Sequence, residues 1–183
     1  MDCSTPEKIK EVKKDFLSHG EVLNFEKHQI LCVEGARDCH LYFLLSGKFL
    51  VVVNHGTKIT PVAEMGQGEF LGELSFFDFG PRSATVICIE PAEVLKVSEN
   101  KVHEVFPPWV VTWAQSMSGQ IRELDEMISK KGIRRKKKGS VHPLTIEEQR
   151  LFYQRIQDYR EQIETSETDL SFSDGDDTLT EIS

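Results

Sequence analysis

Between Phe70 and Val86 the chain reads Phe-Leu-Gly-Glu-Leu-Ser-Phe-Phe-Asp-Phe-Gly-Pro-Arg-Ser-Ala-Thr-Val. Gly72 precedes an acid, Glu73, and a short apolar turn follows. A Gly80-Pro81 loop then delivers Arg82 to the head of a β-rich run. The start of such a turn leaves backbone N–H groups around Gly72–Ser75 without carbonyl partners, and such groups bind anions. Arg82 supplies a planar, permanently charged fork that matches phosphate oxygens. Ser83 adds a hydroxyl donor beside it, and Glu73 is an acceptor suited to ribose hydroxyls. Gly72 permits a close backbone approach that a side chain would obstruct. Together these groups could read one phosphate fused to a sugar. The plainer alternative is that Glu73 and Arg82 form a simple salt bridge. A buried arginine with no anion is costly, so the presence of both residues favours a live anion site.

This stretch resembles the phosphate-binding cassette of cyclic nucleotide-binding domains, whose pattern is Gly-Glu-Leu, a short spacer, then Arg-x-Ala-Thr-Val. Here it stands as Gly72-Glu73-Leu74 and Arg82-Ser83-Ala84-Thr85-Val86. The run Ile30 to Gly35 and the run Leu41 to Gly47 also resemble the family's opening strands, so the likeness covers roughly residues 15–130. The resemblance implies a β jelly-roll barrel, mainly β, with an N-terminal helix, a short helix and a long C-terminal lid helix. It implies that Glu73 accepts from the ribose 2′-hydroxyl and that Arg82 pairs with the cyclic phosphate. Ser83 lies where the family places a small residue or a hydroxyl, and the amides of Gly72, Leu74 and Ala84 complete the pocket. Ser75 followed by Phe76-Phe77 departs from the pattern, making the short helix bulkier than in some members. Thr after the arginine is typical of cGMP-preferring kinase domains and Ala of cAMP-preferring ones. Ser83 is intermediate, and Ser also occurs there in bacterial cAMP-receptor transcription factors. The expected ligand is therefore cAMP, with cGMP the alternative. A purine contact is expected from the lid helix, with Ser116, Ser118, Gln120 and a contact across a dimer all open.

The elements that must position the cassette are legible in outline. Residues 5–18 carry Ile9, Val12, Phe16 and Leu17 at helical spacing before Gly20. Short β-rich runs follow: Val22–Phe25, Ile30–Val33, Leu41–Leu45, Phe49–Asn54, Lys58–Ala63, Ala84–Ile89 and Glu93–Val97. Gly-bearing turn signals between them point to an antiparallel sandwich or barrel. Leu41–Leu45 and Phe49–Val53, joined through Ser46-Gly47-Lys48, read as a hairpin. Pro61 confines its run to a sheet edge. Ser98 suits the N-cap of a short helix ending near Phe106, and Pro108 suits the start of the next. Over 109–131, Val110, Ala114, Met117, Ile121, Leu124 and Ile128 alternate in spacings of four and three, a heptad seam. Either this helix packs on its own barrel or it is shared between two subunits through 110–128. Trp109, Val111 and Trp113 lie off the seam and are expected to face the barrel.

The chain divides as 1–20 N-terminal helix, 21–131 binding domain with lid helix, 132–144 basic linker, 145–164 helix and 165–183 acidic tail. Thr145 with Glu148 forms a capping box for the second long helix. The net charge of −8 hides this layout: residues 164–183 hold seven acids and no Lys or Arg, and 130–138 hold seven bases and no acids, so the chain up to residue 163, basic stretch included, is near neutral. The tail composition reads as disordered. One helix and an acidic tail after Gly132 argue against a DNA-binding helix-turn-helix. No apolar run approaches the ~20 residues of a membrane span, and Met1–Glu7 has no signal core. The four cysteines show no Cys-x-x-Cys spacing and read as reduced residues of a cytoplasmic protein. The histidines show no metal-ligand spacing, an EF-hand in the tail fails because Leu170 and Phe172 would have to be ligands, and no catalytic triad or P-loop is visible. The sequence therefore points to a non-enzymatic cyclic nucleotide sensor that signals through its lid helix to its C-terminal arm or to a protein partner. The alternatives are a non-binding scaffold of the same fold and, with less support, a transcription regulator of the cAMP-receptor type.

Overall fold

The structure is a computed structural model that describes residues 18–56, 58–130 and 142–171. The helix expected over 5–18 lies, apart from Ser18, outside the described residues, as do the basic stretch 132–140 and the tail beyond Ser171.

Six strands form one antiparallel sheet: β1 (Glu21–Phe25), β2 (Ile30–Cys32), β3 (Leu41–His55), β4 (Lys58–Met65), β5 (Phe70–Leu71) and β6 (Thr85–Val97). The order is β1-β6-β3-β4, with β2 also on β6 and β5 also on β3. Among the described residues four helices flank it: α1 (Glu73–Asp78), α2 (Val102–Val105, led in by a 3-10 turn at Glu99–Lys101), α3 (Pro108–Lys130) and α4 (Ile146–Ser171). The expected β roll with helical flanks is therefore present.

The expected hairpin at Ser46-Gly47-Lys48 is not. Residues 41–55 are one long strand, and both halves pair with β6, Leu41↔Val97 at one end and Val52↔Thr85 at the other. The register shifts between Leu44 and Phe49, so the turn signal marks a bend in a continuing strand. Gly47 has φ +80, and a Cβ there would lie 2.3 Å from the Pro91 carbonyl oxygen. Two strands bend together at that point, which only glycine permits. The two runs expected at 84–89 and 93–97 likewise fuse into β6. β4 pairs with β3 alone, and Pro61 lies beside the register shift between Val51 and Val52. That is the edge position anticipated for it.

Strand alternation divides the apolar side chains between two faces. Leu31, Phe49, Val86, Cys88 and Val94 fill one cluster. Ile30, Leu50, Val52, Ile59 and Ile87 belong to the opposite one, and this second cluster is completed by Phe152 and Ile156 of α4. The capping box is formed: Thr145 N–H donates to Glu148 Oε2 at 2.8 Å, and Glu148 N–H to Thr145 Oγ1 at 3.2 Å. α4 runs to Ser171, beyond the end expected at residue 164, because no Gly or Pro interrupts 146–171.

On α3 only Val111 of the three off-seam residues faces the barrel. Trp109 and Trp113 are 72% and 63% exposed, and with Met117, Ile121 and Leu124 they form an outward apolar stripe. Val111, Ser118 and Arg122 share the inward side, so the apolar seam and the barrel-facing side of this helix are different faces.

Candidate ligand-binding site

α1 and the loop to Arg82 are built as the sequence suggests. Gly72, at φ +80, caps α1, and Phe76 N–H donates to its carbonyl at 3.1 Å. Ser75 is buried, and its hydroxyl donates to the Pro81 carbonyl at 3.2 Å, closing the loop. Phe76 is fully buried among Leu41, Val97, Val102 and Val111. The added bulk of Phe76 thus anchors α1 to α2 and α3.

Arg82 is the centre of the site and is only 3% exposed. Its Nε–H points between the two Asp38 oxygens at 3.2 Å each, and Nη2 donates to Asp38 Oδ2 at 2.7 Å and to the His40 carbonyl at 2.9 Å. Nη1 donates to the Gly72 carbonyl at 3.2 Å. A guanidinium has five N–H donors, so four are satisfied within the protein and one on Nη1 has no acceptor among the described residues. The guanidinium carbon stands 5.5 Å from the centroid of the Tyr42 ring, within cation–π range. Burial pulls the Arg82 guanidinium down, but the Asp38 hydrogen bonds and charge outweigh it and hold Arg82 above its ordinary value. The same burial pushes the Tyr42 hydroxyl well up and the Cys32 thiol up to about 12.

The loop before β3 frames this fork. Gly35 N–H donates to the Arg82 carbonyl at 2.9 Å, and Arg82 N–H to the Ala36 carbonyl at 2.8 Å. Residues 34–40 therefore hold both the backbone and the side chain of Arg82.

Glu73 is exposed and makes no hydrogen bond or ion pair among the described residues; Ser83 is exposed and Ala84 and Leu74 half-buried. The simple Glu73–Arg82 salt bridge is thereby replaced: the partner of Arg82 is Asp38, which sequence reasoning missed. The need for an anion was visible, but nothing in the Arg37-Asp38-Cys39 stretch ties it to a residue 44 positions later. Gly72 does touch Arg82 directly, and what its missing side chain admits is the guanidinium itself.

A second ion pair fastens the lid helix to the cassette. Arg122 on α3 binds Asp78 at the end of α1 through Nε and, at 3.0 Å, through Nη2. Gly80 N–H donates to Asp78 Oδ1 at 2.9 Å. Burial alone would raise the Asp78 carboxyl, but these donors outweigh it and hold it below its usual range. A depressed carboxylate contributes stability above its unfolded value of ~3.9 and loses it as pH falls through the lower folded value. Hydrogen bonds to charged groups contribute about 1.5–3 kcal/mol, and partial exposure places this latch at the low end. Acidification below about pH 4 should therefore lower the melting temperature of the native protein more than that of Asp78→Asn. Parallel acid profiles would remove the latch. Of the three residues on α3 considered for a purine contact, Ser118 is buried, whereas Ser116 and Gln120 are exposed.

The chain is similar to several known proteins. The Pycsar effector protein PaPycTIR of Pseudomonas aeruginosa is 33% identical over 97 residues, 52% of this chain and 30% of that protein. The cAMP-activated global transcriptional regulator CRP of Salmonella typhimurium is 25% identical over 118 residues, 62% of this chain and 56% of that one. The crystal structure of Thermus thermophilus Catabolite Activator Protein aligns with a TM-score of 0.54 at 24% identity, over 71% of this chain and 60% of that one. That likeness speaks for the fold. The chain spans less than two thirds of each of these proteins. A family model described as the cyclic nucleotide-binding domain matches residues 22–107, from β1 to the residue before α3. Residues 22–107 thus match the cyclic nucleotide-binding domain, and Gly72 and Arg82, in contact at the cassette of the β roll, lie inside that match.

Proposed function

We propose that this chain is a cytoplasmic cyclic nucleotide sensor, a regulatory binding module rather than an enzyme, with cAMP preferred over cGMP. The observation that supports it best is the remaining Nη1 donor of Arg82, a directed N–H on a fixed positive charge beside the Gly72 carbonyl. A cyclic phosphate is the anion that such a donor suits. Glu73, exposed one residue beyond Gly72, is available for the ribose hydroxyl, and the amides of Gly72, Leu74 and Ala84 complete the cassette. Ser83 beside the fork and the cAMP-activated relative support cAMP. Occupancy is passed on through α3, whose Arg122 is bonded to the cassette helix. Binding must favour one position of that helix over another for a signal to result. Calorimetric titration with cAMP and cGMP, on protein unfolded and refolded to remove carried-over ligand, tests the reading. One-site saturation with the tighter constant for cAMP is expected. Tighter binding of cGMP would overturn the preference alone.

A second reading has its own observation. Arg82 is almost wholly buried and already holds a carboxylate, as a non-binding scaffold would require. No heat and no thermal stabilisation with either nucleotide, from folded protein, would establish that reading.

The outward stripe on α3 is proposed to pair with a second copy. Monomers rarely expose large contiguous apolar patches, and the stripe includes Met117, Ile121 and Leu124 of a heptad seam. Light scattering is expected to give twice the chain mass, and Trp113→Glu is expected to give the single mass. A monomeric native protein would exclude the dimer.

A further inference from the structure

The outer sheet face carries α4, and the loop at residues 33–40 touches both α4 and Arg82. On one side, Phe152 and Ile156 are buried against Val33, with Ala36 half-buried in the same cluster. Arg160 Nη2 donates to the Glu34 carbonyl at 3.3 Å. On the other side, the same loop supplies the Ala36 carbonyl, the Asp38 carboxylate and the His40 carbonyl to Arg82. Glu34 is further fixed to the sheet: its N–H donates to Thr85 Oγ1 at 3.0 Å, and its carboxylate accepts from Asn54 N–H at 2.8 Å. Tyr159 of α4 sits in the field of this site, its hydroxyl pushed up by burial and then by the Asp38 charge. Helix, loop and arginine thus form one chain of contacts.

We propose that α4 is a regulatory strap, docked while Asp38 holds Arg82 and loosened when a nucleotide phosphate takes up that fork. This inference rests on the cyclic nucleotide reading of the cassette. A phosphate on Arg82 is a second anion on the same positive charge. It repels the Asp38 carboxylate and draws on the guanidinium that holds it, so residues 34–38 lose part of their anchorage. Those residues are the ones that Arg160 and Phe152 grip. Coupling of this kind is reciprocal: if nucleotide loosens α4, loosening α4 must tighten nucleotide binding.

The test uses the full chain and Arg160→Gln, which removes the Glu34 contact without opening the buried cluster. Hydrogen exchange of the α4 amides is followed with and without saturating cAMP, and the cAMP affinity of both proteins is measured by calorimetry. Faster exchange in α4 on cAMP addition, with about fivefold tighter binding by Arg160→Gln, is the expected result. Exchange that is unchanged or slowed, or affinities equal within error, overturns the strap while the measured binding heat leaves the nucleotide reading intact. If neither protein binds cAMP or cGMP, the nucleotide reading fails and the coupling fails with it.

Discussion

Arg82→Ala is expected to weaken cyclic nucleotide binding by at least tens of fold and to destabilise the domain at the same time. The side chain satisfies the Asp38 carboxylate and the His40 and Gly72 carbonyls. Truncation leaves all three without that donor and leaves a cavity between the Tyr42 ring and α1. Breaking a buried pair by removing one partner costs about 3–5 kcal/mol. The Asp38 side chain is one-third exposed, at 33%, and water can rescue part of that loss, so a fall of about 2–3 kcal/mol is expected. The binding effect is separate. Removing one member of a desolvated charge pair costs about 2–5 kcal/mol, so affinity should fall by at least tens of fold. Denaturant unfolding measures the first quantity, and calorimetry at a temperature where the variant is folded measures the second. Unchanged nucleotide affinity in folded Arg82→Ala would show that the phosphate is read elsewhere.

Gly72→Ala is expected to be comparably damaging although it adds only a methyl group. The backbone there has φ +80, and a Cβ would fall 2.0 Å from Arg82 Nη1 and 2.8 Å from the His40 carbonyl oxygen. The left-handed conformation costs an L-residue about 1–2 kcal/mol, and forcing the buried guanidinium aside adds about 1–3 kcal/mol. The displaced fork cannot keep its geometry on Asp38, so nucleotide affinity should fall with stability. Equal unfolding midpoints for Gly72→Ala and the native protein would mean that the guanidinium is not seated against residue 72.

Both predictions meet at one contact, and sequence supplied only half of it. Gly72, Glu73, Arg82 and Ser83 were recognisable because the cassette is a local stretch, with spacing set by one short helix and one loop. Helix starts were legible for the same reason: Pro108 and the Thr145/Glu148 box act within a single turn. Residue type places the β-rich runs correctly, but the spacing of Leu41–Leu45 and Phe49–Val53 predicts a hairpin where one strand continues. A glycine with positive φ serves a turn and a bend equally well, and only the shared partner β6 distinguishes them.

What the sequence determined by itself was local: which segments extend, which coil, and where an arginine and a glycine stand ready for an anion. The tertiary structure decided the partners. Asp38 reaches Arg82 and Asp78 reaches Arg122 across 44 residues each, separations at which side-chain type carries no address. Phe152 and Ile156 of α4 are apolar residues one turn apart in the sequence, yet only folding showed that they cover Ile30, Leu50, Val52 and Ile87. Likewise Trp109 and Trp113 turned outward because Val111, Ser118 and Arg122 occupy the inward side of α3. Apolar periodicity records that a face must be buried, whereas the element that buries it is fixed by how the whole sheet bends and closes.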